Sequence, residues 1–177
     1  MTVGAQNATT YAISPAESSL IVNARSTLHA IRANVAGLTG TVAAAWNADG
    51  TIASSPPLAI HVEFPLDQVR SGNAMQDREM LKMVDARRFP KVAGDLKSVE
   101  VIVPPDRYRA TGEITLAGRA RPYGGEFTIA AAGDDLTVEG EVSIDMRDFG
   151  LQPPRLLIFT VDPVLRIKLR LVARKTA

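Results

Sequence analysis

The sequence predicts a mainly β protein, built as an antiparallel sandwich or a closed barrel with one short helix. Three observations lead to this prediction. Several short segments alternate apolar and polar residues, glycine and proline separate them at close spacing, and only one stretch changes to helical spacing. A parallel sheet would need a helix between successive strands, so the antiparallel class is favoured.

Length and composition fit one globular domain. The chain has 177 residues, 46% of them hydrophobic and 22% charged, which is enough to build a core. A formal net charge of +1 gives no indication of nucleic acid as a partner, and the lack of cysteine excludes disulfides and thiolate metal sites. The start of the chain carries no pattern of a signal peptide, so we expect a cytoplasmic protein, or a periplasmic or secreted one if a signal was removed.

The elements are predicted in chain order. Residues 1–10 are small and polar, and we expect a flexible tail there, followed by one domain over residues 11–177. Apolar residues at helical spacing within residues 73–88, ended by Phe89-Pro90, predict the one helix. Extended patterns predict strands over residues 11–22, 38–46, 58–64, 92–103, 108–117, 125–131, 136–146 and 156–172, the last with a break at Asp162-Pro163.

The predicted strands have one polar and one apolar face. Within residues 136–146, aliphatic residues and one glycine alternate with Thr137, Glu139 and Glu141, and a shift of one residue would put these polar groups inside. Small residues on the apolar face indicate either room for one ligand or close packing against large neighbours, and the pattern leaves both open. These small residues are Gly40, Ala44, Ala110, Gly112 and Gly140.

Three segments carry motifs that occur together in one known family. They are Tyr-Ala-Ile-Ser-Pro-Ala-Glu-Ser-Ser at 11–19, Asp-Arg-Glu-Met-Leu at 77–81 with Phe89-Pro90, and Gly-Glu-Ile-Thr-Leu-Ala-Gly at 112–118 with Pro122 and Met-Arg-Asp-Phe-Gly-Leu at 146–151. Their types and order resemble the YceI-like, polyisoprenoid-binding family, from residue 11 to the end of the chain. The chain departs from the family pattern at Ser14 and Glu17, where the family has Asp and His, so no role is carried over to those positions.

The resemblance implies a lipocalin-like antiparallel barrel of about eight strands, with the helix at one end. It also implies an elongated apolar tunnel for a polyisoprenoid, such as the tail of an isoprenoid quinone, and an expectation of homodimers. The function that follows is binding of a long apolar lipid-like ligand in the barrel, for carriage or storage, without a cofactor. The alternative is a stress-response or protein-interaction module whose barrel is packed and holds no ligand.

The lining of the barrel is predicted from strand alternation. Among the lining residues Tyr108 alone carries a hydroxyl that could hold a polar headgroup. The predicted ligand-binding residues are Val42, Ala44, Ile60, Val62, Tyr108, Ala110, Ile114, Leu116, Phe127, Val138, Gly140, Val142, Ile144, Ile167 and Leu169.

Residues suited to catalysis or metal binding are few. His29 and His61 belong to no metal-ligand pattern, and the chain has no nucleophile elbow, phosphate loop or dinucleotide fingerprint, so we predict neither an enzyme nor a metal site. Asp145 and Asp148 are the one lead for catalysis. Because Arg147 lies between them in the sequence, we interpret the two aspartates as stabilising a strand end by hydrogen bonds and ion pairing.

Basic residues recur along the final strand. Alternation places Arg166, Lys168 and Arg170 on the solvent face, with Arg174 and Lys175 following in the tail. Ion pairing across strands is one explanation of this stripe. Transient docking to an anionic membrane is the functional alternative.

Overall fold

The computed structural model describes residues 7–153, 155–156 and 159–176, and of residues 155, 156 and 159 the backbone alone. Over these residues it contains one α-helix, α1 (Ala74–Met83), and two 3₁₀ helices, Leu66–Gln68 and Met146–Phe149. The strands are β1 (Thr9–Ile13), β2 (Ser19–Arg25), β3 (Ala30–Val35), β4 (Thr39–Ala44), β5 (Ala59–Pro65), β6 (Val69–Arg70), β7 (Lys91–Val103), β8 (Arg107–Leu116), β9 (Arg119–Ala132), β10 (Asp135–Asp145), β11 (Arg155–Leu156), β12 (Phe159–Thr160) and β13 (Val164–Lys175).

Eight strands close into an antiparallel barrel. The order around it is β1, β4, β5, β7, β8, β9, β10 and β13, and β13 closes the ring by pairing with β1. Strands β2, β3 and β6 pair with β13, β2 and β3 in turn. Strand β2 therefore extends the line of β1, β3 extends that of β4, and β6 extends that of β5. Three of the eight strand positions around the barrel are thus each occupied by two segments of the chain.

Strand alternation determines which face of each strand is inside. In the long pairing of β10 with β13, Ile144 stands opposite Leu165 and Val142 opposite Ile167. The intervening positions pair acidic residues with basic ones, such as Glu139 with Arg170. This register keeps apolar side chains inside and charged ones in water, as the sequence pattern predicts.

Helix α1 lies at one end of the barrel. It begins after Asn73, whose side-chain oxygen accepts hydrogen bonds from the backbone N–H groups of Met75 and Gln76. It ends at Met83, earlier than predicted, because the backbone turns at Asp85, which has a positive φ of 52°. We call the end of the barrel that carries α1 and the turn at residues 26–29 the helix end, and the opposite end, which carries the loop at residues 45–58, the closed end.

The first predicted strand, residues 11–22, is divided into β1 and β2 by a turn. The N–H of Ser18 donates to the carbonyl of Ser14, and the buried Ser18 hydroxyl exchanges hydrogen bonds with the backbone of Val172 in β13. The side chain of Ser18 thus replaces a backbone partner where the strand is interrupted. Because of this hydrogen bonding, the barrel wall can bend between β1 and β2 without leaving backbone groups unpaired.

The strands differ from the prediction at several positions. Thr9 and Thr10 belong to β1 because their backbones pair with Ala44 and Ala43 of β4, so this strand begins before residue 11. Strand β3 was not predicted, and β9 starts at Arg119 instead of residue 125. Residues 1–6 of the predicted tail and residues 157–158 of the last predicted strand lie outside the described residues. No helix in the described residues has the length and apolar character needed to cross a bilayer.

Candidate functional site

The barrel encloses a cavity of about 350 Å³ between its middle and the helix end. Its wall consists mainly of inward aliphatic side chains. Ile60, Val62, Val142 and Ile167 point inward and pack against the core, but they are only half-buried because they also border this cavity. A volume of this order matches a small-molecule binding site.

The closed end of the barrel is packed. Val42, Ala44 and Leu136 are completely buried there, and Tyr108 is 2% exposed. The deepest residues of the cavity wall are Ile129, Val138 and Leu171, which belong to the same packed cluster. In the described residues the cavity is thus a pocket with a floor, whereas the family resemblance implied an elongated tunnel.

Most of the predicted lining residues border the cavity. They come from five strands of the barrel, and alternation alone identified them. They are Ile60, Val62, Ala110, Ile114, Leu116, Phe127, Val138, Val142, Ile144, Ile167 and Leu169.

Four predicted lining residues do not border it. Val42, Ala44 and Tyr108 point inward as expected, but they form the packed closed end. Gly140 is covered by the ring of Phe127, its cross-strand neighbour, so it faces an aromatic side chain and not open space. Alternation predicts the face of a residue but not its depth along the barrel axis.

The proposed headgroup contact of Tyr108 is wrong in this structure. Its hydroxyl donates to the carbonyl of Pro105 at 2.9 Å and accepts from the N–H of Ile52 at 2.9 Å. Both partners belong to turns at the closed end, away from the cavity. Burial raises the pKa of Tyr108.

Helix α1 forms part of the cavity mouth. Met80 and Met83 border the cavity from the helix, together with Gln76, Asp77 and Glu79. No residue of α1 is fully buried. The helix therefore covers the mouth with a flexible, polarisable surface and few fixed contacts, and the cavity reaches solvent beside it.

Tyr123 is a cavity residue that the sequence analysis missed. It borders the cavity near the mouth, and its ring stacks on Phe149 with centroids 5.9 Å apart. Its hydroxyl accepts from the N–H of Asp145 at 3.1 Å and donates to the carboxylate of Asp148. Burial, and then the bond to Asp148, raises the pKa of Tyr123. Extending the alternation of β9 back from Phe127 would have found this position.

Asp145 and Asp148 are held by structural contacts. Arg147 donates to Asp145 from its backbone N–H at 2.9 Å and from its guanidinium at 2.7 Å, and these hydrogen bonds lower the pKa of Asp145. A general acid would need the opposite shift. The arrangement agrees with our interpretation of this segment as a braced strand end.

His61 lies on the outer face of β5. Its Nδ1 is 2.6 Å from Asp95 Oδ1 on β7, and its Nε2 is 3.4 Å from Glu63 Oε2. The described residues contain no group of three or more histidine and carboxylate side chains that could hold a metal ion. The contacts of His61 are those of a cross-strand ion pair.

The basic stripe of the final strand is paired with acids on its neighbours. Arg166 donates to Glu141 at 2.9 Å, and Arg170 donates to Glu139 at 2.9 Å. Arg174 pairs with Glu17 at 2.8 Å. These contacts favour the cross-strand explanation of the stripe, because its charge is largely compensated by neighbouring carboxylates.

A closed eight-stranded antiparallel barrel around a ligand-sized apolar cavity defines the class of lipocalin-like binding barrels. This confirms the fold class predicted from the sequence. The family model of the YceI-like domain matches residues 11–173, so the chain belongs to the YceI-like family. The family expected from the three motifs is thereby confirmed.

Solved structures share this fold at low sequence identity. BcnA from Burkholderia cenocepacia aligns with a TM-score of 0.75 at 17% identity, over 90% of this chain and 98% of that chain. A polyisoprenoid binding domain from Saccharophagus degradans, implicated in plant cell wall breakdown, gives 0.70 at 10% identity, over 94% and 98%. The YCEI protein of Campylobacter jejuni gives 0.66 at 14%, over 83% and 86%. A search of curated proteins finds no match.

Proposed function

We propose that this protein binds an apolar lipid of the polyisoprenoid class in the barrel cavity, for carriage or storage, without chemical change to the ligand. The observation that carries the proposal is the cavity of about 350 Å³, walled by aliphatic side chains inside a closed barrel. A module that worked only through its outer surface would have no need of such a cavity in its core. Membership of the YceI-like family supports the same function.

Apolar burial supplies the driving force for such a ligand. Each methylene group moved from water into the cavity contributes about 0.8 kcal/mol. Walls made mainly of aliphatic side chains suit a branched, flexible hydrocarbon chain better than a flat aromatic compound. The solved domain from Saccharophagus degradans, described as polyisoprenoid binding, has the same fold and supports this choice of ligand class.

Native mass spectrometry of the purified chain tests the proposal. We expect a co-purifying apolar mass, or a bound mass after incubation with geranylgeraniol. The side chain of Ile167 borders the cavity, so Ile167→Trp should fill that volume and abolish the bound species. Ile60→Trp, on β5, three strands away around the barrel, should have the same effect.

Val103→Trp is the matched control, because Val103 is 57% exposed at the closed end and does not border the cavity. This variant should bind as the wild type does. Circular dichroism checks that each variant is folded. Failure of the wild type to carry or take up any isoprenoid would contradict the proposal, and so would undiminished binding by both cavity variants.

A further inference from the structure

The helix end exposes large apolar side chains beside the cavity mouth. Leu28, in the turn between β2 and β3, is 61% exposed, and Met75, in the first turn of α1, is 49% exposed. Val164, at the start of β13, is exposed at the same end. Ile31, just after the turn, and Met80 on α1 both border the cavity, so the exposed residues flank its mouth.

The turn that carries Leu28 is held by bonds that do not use its side chain. The hydroxyl oxygen of Ser26 accepts from the N–H groups of Leu28 and His29, at 3.3 and 3.1 Å. The N–H of Thr27 donates to the carbonyl of Thr160 at 3.1 Å and ties the turn to that segment. The turn therefore does not require leucine at position 28, where a polar side chain would be better solvated.

The outer face of α1 combines Met75 with basic residues. Met75, Arg78 and Lys82 are spaced three and four residues apart, so they share one face of the helix, and all three are exposed. Arg87 follows shortly after the helix and is also exposed. An apolar side chain flanked by cations suits an anionic lipid surface, where it enters the acyl chains and the cations meet phosphates.

The acidic side chains of this segment are engaged within the chain. Asp77 is half-buried and accepts two hydrogen bonds from the preceding loop. Glu79 and Asp85 each pair with a basic residue three positions further on. Among the described residues, no carboxylate pairs with Arg78 or Arg87, so both are available to an external anion.

The closed end also exposes two apolar residues, but without these other features. Val101 and Val103 lie on β7 close to its turn into β8. Glu100 precedes them, and Arg107, after the turn, pairs with Glu126 at 3.0 Å. The barrel is packed at this end. In the described residues, the helix end alone combines exposed apolar side chains and available arginines with the cavity mouth.

We propose that the helix end docks onto an anionic lipid surface, with Leu28 and Met75 entering the acyl chains and Arg78 and Arg87 contacting lipid phosphates. In this orientation the cavity mouth faces the bilayer, so an apolar ligand passes between the membrane and the cavity without crossing water. The docking itself is independent of what the cavity holds, whereas its use for loading the cavity rests on the proposed function.

Flotation of the full-length protein with vesicles tests the docking. Vesicles of equal parts phosphatidylcholine and phosphatidylglycerol are compared with vesicles of phosphatidylcholine alone. We expect binding to the anionic vesicles that weakens as salt is raised. Leu28→Ser combined with Met75→Ser should lower the partition coefficient at least about tenfold, because apolar burial is lost. Arg78→Gln combined with Arg87→Gln should lower it about tenfold at low salt.

Each pair of substitutions has a matched control away from the helix end. Val101→Ser with Val103→Ser removes two exposed apolar side chains from the closed end. Lys97→Gln with Arg109→Gln removes the same amount of charge from exposed positions on β7 and β8. Circular dichroism checks that every variant is folded. Both controls should bind vesicles as the wild type does, and losses equal to those of the helix-end variants would overturn the assignment to the helix end.

Tryptophan fluorescence tests the orientation on the membrane. Leu28→Trp places a reporter in the turn and Val103→Trp places one at the closed end, each in addition to Trp46. With anionic vesicles that contain brominated phosphatidylcholine, the emission of Leu28→Trp should be quenched more strongly. Equal quenching, or a wild type that binds neither kind of vesicle, would overturn the docking and leave the proposed function intact, since bound ligand measures the latter. A dimer that Leu28→Ser with Met75→Ser dissociates would then assign this surface to a second copy of the chain.

Discussion

The ring of Phe127 lies over Gly140, its cross-strand neighbour in β10, so closely that a Cβ at position 140 would come within 2.2 Å of Cδ1 of the ring. The glycine is needed for this close approach, and the ring in turn covers the backbone that the glycine leaves bare. Phe127 also borders the cavity. The pair therefore positions one wall of the binding site.

We expect Gly140→Ala to lower the free energy of unfolding by about 1–3 kcal/mol, because the ring must leave its place. Urea unfolding measures this change. Gly94→Ala is the matched control, since its Cβ would lie 3.4 Å from Val62 Cγ1, an ordinary contact. That variant should be neutral or more stable by about 0.5–1 kcal/mol.

Removal of the ring should remove the closest conflict, while the Glu126 carbonyl oxygen stays 2.8 Å from the added Cβ. In a Phe127→Ala background, Gly140→Ala should cost clearly less than in the wild type, and the double-mutant cycle should give a coupling energy of at least about 0.5 kcal/mol. Additive effects of the two substitutions would show that the close approach is not the reason for the glycine.

A second prediction concerns the attachment of α1. Because no residue of α1 is fully buried, its stability depends strongly on the Asn73 cap. Asn73→Ala should destabilise the helix by about 1 kcal/mol, which corresponds to roughly fivefold faster hydrogen exchange of its amides. The strands of the barrel should keep their protection. Hydrogen exchange with mass spectrometry resolves the two regions.

The matched substitution is Asn47→Ala, which removes a side chain that donates to Thr51 in the loop at the closed end. It should leave exchange in α1 unchanged. If Asn73→Ala also leaves α1 unchanged, packing rather than the cap holds the helix over the mouth.

A third prediction follows from the outer ion pair. The hydrogen bond to Asp95, assisted by Asp95 and Glu63 as nearby negative charges, raises the pKa of His61 above its ordinary value of 6.5. The folded protein therefore binds this proton more tightly than the unfolded chain does. The contribution to stability is complete below about pH 6.5 and is lost as the pH rises through the folded pKa.

An NMR titration of the His61 ring should show a midpoint above 6.5, and Asp95→Asn should bring it down towards that value. Glu100→Gln, on the same strand, provides a control that removes an acid without touching His61. An unchanged midpoint in Asp95→Asn would mean that the pair at 2.6 Å does not persist in solution.

The direction in which each side chain points could be predicted from the sequence, because consecutive residues of a strand face opposite sides. Strand β3 escaped prediction although Ile31, Ala33 and Val35 alternate with polar residues, since alanine contributes little β signal. The interruption at Ser18 also could not be predicted. It depends on a hydrogen bond to Val172, at the other end of the chain.

The depth of the cavity could not be predicted for a similar reason. Tyr108 and Ile114 share the inward face of β8, but only Ile114 borders the cavity. The difference is made by Ile52, in a loop distant in sequence, which holds the Tyr108 hydroxyl at the closed end. Local pattern identifies the wall of the barrel, and tertiary contacts determine where the barrel is filled.

The last prediction concerns the length of the ligand. Along β9 the cavity extends from Tyr123 to Ile129, about 20 Å of strand. The tilt of barrel strands reduces this to about 15 Å along the axis. That is close to one leaflet of a bilayer, half of a hydrocarbon core of about 30 Å. The cavity is therefore long enough to hold one membrane-lipid tail, or about three or four isoprene units.

Affinity should therefore rise from geraniol through farnesol to geranylgeraniol and then level off, with solanesol binding no more tightly, because units beyond the mouth stay in water. Nile red displacement measures the series. Leu136→Ala removes part of the packed closed end at a cost of about 2–5 kcal/mol in stability, and it should move the plateau towards longer chains. The exposed Val103→Ala at the same end should not move it. A steady gain in affinity up to solanesol in the wild type would contradict the closed floor, since such a gain needs a cavity that continues through the barrel.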